Sequence, residues 1–154
     1  MRAELWRDPR VVLGASDAGA HLDVQCGAAY TTTFLAQGVR EKQLMGMEEA
    51  VHRLADVPAR LFGLKQRGRI ADGWHADVVL FDPARIAPGE EEMRQDLPGG
   101  ASRVYVGATG IEHVLVNGGE VVRGDALTGV LPGQVIRSGK DTETVRPAQR
   151  WTAS

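Results

Sequence analysis

The sequence predicts an α/β segment followed by a β segment, and three observations carry this. The run Val11, Val12, Leu13, Gly14, Ala15 is continuously apolar and hands over to Ser16-Asp17. Met47, Ala50, Val51, Leu54 and Ala55 recur at the i, i+3, i+4 spacing of an amphipathic helix. Asn117-Gly118-Gly119 separates two apolar runs, and Asn-Gly in that setting is the strongest short-range hairpin signal.

Taken in order, residues 11–17 read as a strand apolar on both faces, the kind that lies in a parallel sheet covered by helices. Its C-terminal end carries the Asp17 carboxylate, and that end of a strand is where α/β architectures house chemistry. Residues 28–39 are spaced for a helix, with Tyr30, Thr33, Phe34 and Leu35 on one face. The helix beginning at Met47 has Glu48 and Glu49 in its first turn, where the macrodipole favours anions. Pro58 ends it, because a proline there removes an amide donor, and opens a short helix closed by Gly63.

From Gly68 the pattern changes to short strands and turns. Arg69-Ile70 reads as a short strand, Asp72-Gly73 as a turn and residues 77–81 as a buried strand broken by Asp82-Pro83. Residues 90–100 read as a polar excursion, 111–116 and 120–123 as a hairpin, and Val135-Ile136 as a final edge strand. The division is thus 1–66, 67–136 and a polar tail, 137–154, expected to be an arm or mobile. One two-sidedly apolar strand with its helices has no sheet to join within this sequence, so the first segment reads as the last βα unit of something larger.

With 154 residues, 43% hydrophobic and 25% charged, the composition is that of an ordinary globular protein. Eighteen Lys+Arg against 20 Asp+Glu give a formal charge of −2, which argues against a nucleic-acid surface. No run approaches the roughly 18 apolar residues of a membrane span and the start is charged, so the expected location is cytoplasmic, with no membrane partner. The single Cys26 makes no internal disulfide.

Val-Leu-Gly-Ala-Ser16-Asp17-Ala-Gly-Ala-His21, the stretch 48–63 from Glu-Glu-Ala-Val to Ala-Arg-Leu-Phe-Gly, and Gly68-Arg-Ile-Ala-Asp-Gly-Trp-His-Ala-Asp-Val-Val-Leu-Phe-Asp82 together resemble the C-terminal portion of the amidohydrolase superfamily, in its N-acyl-D-amino-acid deacylase (D-aminoacylase) branch. The resemblance covers about residues 10–137. It implies a TIM-like (β/α)8 barrel whose last βα unit is residues 1–66, and a composite β-sandwich of which 67–136 form a part. It implies zinc, one or two ions in the intact enzyme, and a small-molecule N-acyl amino acid as substrate, its linear amide hydrolysed by metal-activated water. Asp17 is then the catalytic general base and a metal ligand in some members, because water made acidic by a cation still needs a carboxylate to take its proton. His21, four residues on, is the substrate-binding candidate.

The resemblance also marks what is missing. The four histidines, His21, His52, His75 and His113, are never two apart, so the superfamily's His-x-His pair is absent. A catalytic zinc generally takes three protein ligands, and Asp17 is the one credible ligand here. Asp17, His21, Asp23 and Cys26 fall within ten residues but match no standard zinc spacing. His52 is expected to be solvated on the polar side of its helix, and His75 and His113 to be structural. The chain therefore reads as a fragment, inactive alone. Its bare strand would be uncovered at about 25 cal/mol per Å² of apolar area. That surface predicts a homo-oligomer, docking onto a missing N-terminal barrel fragment, or rearrangement of the first strand. Two alternatives stand beside this: a non-catalytic oligomerisation or partner-binding module derived from the fold, and a fragment of a cyclic-amide hydrolase.

Overall fold

The computed structural model describes residues 2–145. A short helix, α1 (Arg2–Arg7), opens the chain. A 3-10 turn at Gly27–Ala29 leads into α2 (Tyr30–Thr33), which continues as a π-helix over Phe34–Glu41. Then follow α3 (Met47–Leu54) and α4 (Asp56–Leu61). Gly63 leaves α4 at φ +62°, the left-handed geometry a glycine takes without a Cβ penalty.

The strands are β1 (Val78–Phe81), β2 (Ala87–Arg94), β3 (Arg103–Thr109), β4 (Ile111–Val116), β5 (Gly119–Arg123) and β6 (Ala126–Leu127). They form a four-stranded sheet in the order β1-β4-β5-β6 and a two-stranded β2-β3 ribbon, with every pairing antiparallel. The β4–β5 hairpin turns on Asn117 (φ +48°) and Gly118 (φ +79°), the two left-handed residues that a type I′ turn needs.

The core joins helices to strands. Phe34, Leu35 and Val39 of the π-helical stretch and Ala50 of α3 bury together with Ile86, which is 2% exposed on the β1–β2 connection. Trp6 stands edge-on to Phe34 at 5.2 Å, and Leu13, Phe81 and Ile111 close the periphery. The Arg40 guanidinium donates to the carbonyl of Ile86 at 2.6 Å and ties the connection to the helix.

Five expectations need correction. The strand expected to be buried at 77–81 forms as β1 but is not buried, because it lies at the edge of the sheet beside β4 alone and leaves Val79 and Leu80 exposed. Residues 11–17 form no strand: Val11, Val12 and Leu13 are half-buried, and among the described residues the backbone from 12 to 17 makes only local turn bonds. A parallel strand takes its hydrogen bonds from neighbours on both edges, and the strands of this chain pair among themselves, so the run instead lays Leu13 against the helical core. Arg69-Ile70 is also unpaired, with Ile70 87% exposed, because Arg69 is drawn to Asp56 at 3.1 Å rather than to a sheet. Residues 90–94, expected to lie in an excursion, belong to β2, where Glu91 and Glu92 pair with Val106 and Tyr105 and the Arg94 guanidinium stacks 3.4 Å over the Tyr105 ring. Val135-Ile136 forms no edge strand among the described residues; the chain instead returns at Thr142, which bridges Leu64. The part of the expected tail at 146–154 lies outside the described residues.

Candidate functional site

The loop from Ser16 to Cys26 is organised by its own backbone. The Ser16 hydroxyl accepts the Ala18 N–H at 3.2 Å, the Asp17 carbonyl accepts Ala20 N–H at 2.9 Å, and the His21 carbonyl accepts the N–H groups of Val24 and Gln25 at 2.9 and 3.0 Å. Two residues without glycine's freedom, Ala15 (φ +62°) and His21 (φ +48°), sit in the left-handed region on either side of Asp17. Each costs about 1–2 kcal/mol, so surrounding contacts must hold the loop in place. One such contact is long-range: Val104 N–H of β3 donates to the Leu22 carbonyl at 2.7 Å.

The side chains of Asp17, His21 and Asp23 all face solvent, and Cys26 is half-buried and free. The sequence brings these four together along the chain, but the structure does not gather them around a cation: among the described residues no three His, Cys, Asp or Glu side chains are placed to share a metal ion. The described residues therefore do not fit a metal centre. What the loop offers is an exposed carboxylate on a constrained backbone, able to accept a proton from water.

The other histidines are occupied elsewhere. His52 is half-exposed, with its Nδ1 3.5 Å from the buried Asp56 carboxylate, which also meets Arg60 at 2.7 Å. His113 Nδ1 lies 2.5 Å from Glu120 Oε1. Arg123 first, and His113 after it, hold the Glu120 carboxyl below the usual carboxylate range. His75 gives its backbone N–H to Gln66. Sequence reasoning missed a shallow groove of about 570 Å³ over β1 and β4, lined by Val79, Leu80, Phe81, Asp82, Glu112 and His113. The signal for it in the sequence is the unbroken apolar run 78–81, which puts apolar side chains on both faces of the strand.

The scaffold thus mixes helices with antiparallel strands and carries the exposed Asp17 carboxylate on a loop tethered to β3. The chain belongs to the amidohydrolase family, whose model matches residues 2–122. It is 36% identical over 108 residues to N-acyl-D-aspartate deacylase of Alcaligenes xylosoxydans xylosoxydans, covering 70% of this chain and 20% of that protein. To N-acyl-D-glutamate deacylase of the same organism it is 42% identical over 106 residues, covering 69% and 20%. Solved structures of D-aminoacylase match with TM-score 0.52 and 31% identity over 66% of this chain and 20% of theirs, and one of them concerns the role of a binuclear metal centre in that enzyme. The chain spans about one fifth of the length of the curated relatives it matches. No helix among the described residues is long and apolar enough to cross a membrane.

Proposed function

We propose that this chain contributes the proton-accepting carboxylate to an amidohydrolase of the N-acyl-D-amino-acid deacylase type. Asp17 takes the proton of the water that attacks the linear amide and delivers it to the departing amine, while His21 orients the substrate. In this reading residues 1–66 complete a (β/α)8 barrel, 67–136 join a β-sandwich and 137–154 are a trailing segment. The zinc that the resemblance implies is held by ligands other than the described residues, so the isolated chain is inert.

The observation that carries the reading is the placement of Asp17. It is exposed four residues beyond Leu13, on a loop bracketed by two left-handed residues, inside the segment that matches the family. The test is hydrolysis of N-acetyl-D-amino acids with zinc, by the chain alone and by the chain combined with the barrel of a D-aminoacylase. Turnover is expected only in the combination, and Asp17→Asn should lower it by about 10²–10⁴-fold, the usual worth of a general base. Full activity in Asp17→Asn would refute the assignment, and turnover by the chain alone would refute the need for a barrel.

A second reading, a non-catalytic partner-binding platform, is favoured by the groove over β1 and β4, where Val79 and Leu80 remain 53% and 47% exposed. In that case Asp17→Ala leaves partner binding intact and Val114→Lys in β4 abolishes it. A cyclic-amide substrate in place of a linear one would appear in the same combined assay as ring opening.

A further inference from the structure

Gly27 lies at the start of the 3-10 turn Gly27–Ala29, ten residues beyond Asp17, and packs directly on that residue's backbone. A Cβ on Gly27 would stand 3.0 Å from Ala18 N, 3.1 Å from Asp17 N and 3.2 Å from Asp17 C, three main-chain atoms with no flexible end to swing aside. The loop is also held by the Val104 N–H of β3, which donates to the Leu22 carbonyl at 2.7 Å. We infer that Gly27 is a positioning residue: its missing side chain lets the turn seat the Asp17–Ala18 peptide, and together with the β3 tether it sets where the Asp17 carboxylate stands. The inference rests on Asp17 being the proton acceptor.

Two features of the loop agree with this role. The left-handed Ala15 and His21 need outside contacts to persist, and the seat on Gly27 and the bond to Val104 are the non-local contacts that supply them. The seat is also tight enough that a methyl group must shift the Asp17 main chain by a few tenths of an ångström. Displacements on that scale approach the roughly 0.5 Å within which a catalytic group must be held.

The experiment uses the full 154-residue chain and reads position rather than turnover. In Gly27→Ala, the amide and side-chain carboxyl resonances of Asp17 are expected to move, and the Ala20 N–H, which bonds to the Asp17 carbonyl, to lose exchange protection severalfold. Signals of the β4–β5 hairpin should hold still. Gly14→Ala is the control, because a Cβ there meets nothing within 4 Å, and it should leave Asp17 unmoved. Val104→Pro removes the tether at an N–H given to Leu22, and it decides the matter should Gly27→Ala fail to fold; it too should shift the Asp17 signals. Unmoved Asp17 resonances in Gly27→Ala, or in Val104→Pro if that variant must decide, overturn the positioning role. That result is separate from a failure of Asp17 as base, which the Asp17→Asn assay reads.

Discussion

Asp77 accepts the backbone N–H of Asn117 at 2.8 Å across 40 residues of sequence. The residue that precedes β1 is thereby fastened to the turn between β4 and β5. Arg67 completes the junction, pairing with the Asp77 carboxylate and donating to Asn117 Oδ1 at 2.8 Å, while Asn117 Nδ2 donates to the Pro132 carbonyl at 2.9 Å. Asp77→Ala leaves the Asn117 amide and one arm of Arg67 unpaired, and should cost about 1–3 kcal/mol, read as a lower urea midpoint with unchanged slope.

The same carboxylate sets a pH dependence. Burial works to raise the Asp77 pKa, but the Asn117 N–H and Arg67 outweigh it and hold the carboxyl below its ordinary value. The folded state therefore takes up this proton less readily than the unfolded chain. Its stabilisation is complete above the ordinary aspartate value of about 4 and is lost as pH falls through the lowered folded value. Asp96, held down chiefly by Arg103, and Glu120, held down chiefly by Arg123, act with the same sign. Thermal stability should fall steeply below about pH 4, and more shallowly in Asp77→Asn, as monitored by circular dichroism.

Gly110 joins β3 to β4 at φ +78°, with the position of a Cβ 2.6 Å from Ile86 N and 2.7 Å from Arg85 C. Gly110→Ala combines a left-handed alanine with overpacking against main chain, and should destabilise by about 2 kcal/mol or more. Gly124→Ala is the comparison: its φ is +54° but the space around it is open, so it should cost only the conformational part, about 1 kcal/mol. Equal losses in the two would show that the contact with Ile86 does not matter.

Asp56 is buried, 6% exposed, among Arg60, Arg69 and His52. Its Oδ1 lies 3.1 Å from Arg69 Nε without a well-aligned hydrogen bond, so this oxygen depends on charge attraction alone. Arg69→Ala should therefore cost about 1–3 kcal/mol, more than the 0–1 kcal/mol of an exposed pair, and the loss should shrink in Arg69→Lys.

The extent to which the sequence disclosed this structure varies from element to element. The β4–β5 hairpin was legible because Asn117 and Gly118 both occupy the left-handed region, a demand few residue pairs meet. Helix α3 was legible from its spacing and first-turn glutamates. The run 11–17 misled because an apolar, β-branched stretch states only that it wants cover, not whether sheet or helix provides it. Strand β2 was hidden by its composition: Pro88, Gly89 and three glutamates argue against a strand, and it exists because β3 offers partners to residues 87–88 and 91–94 on either side of an irregularity at Gly89-Glu90. At the candidate site Asp17 was visible by resemblance, whereas the seat on Gly27 and the tether to Val104 are contacts that no local pattern announces.

The seat of Ile86 has a thermodynamic consequence. Its side chain plugs the cluster made by Phe34, Leu35, Val39 and Ala50, and its carbonyl is held by Arg40, so the β1–β2 connection cannot be pulled free while those helices stay closed. The helical and strand-bearing stretches should therefore melt together, and calorimetry should record a single endotherm whose van't Hoff and measured enthalpies agree.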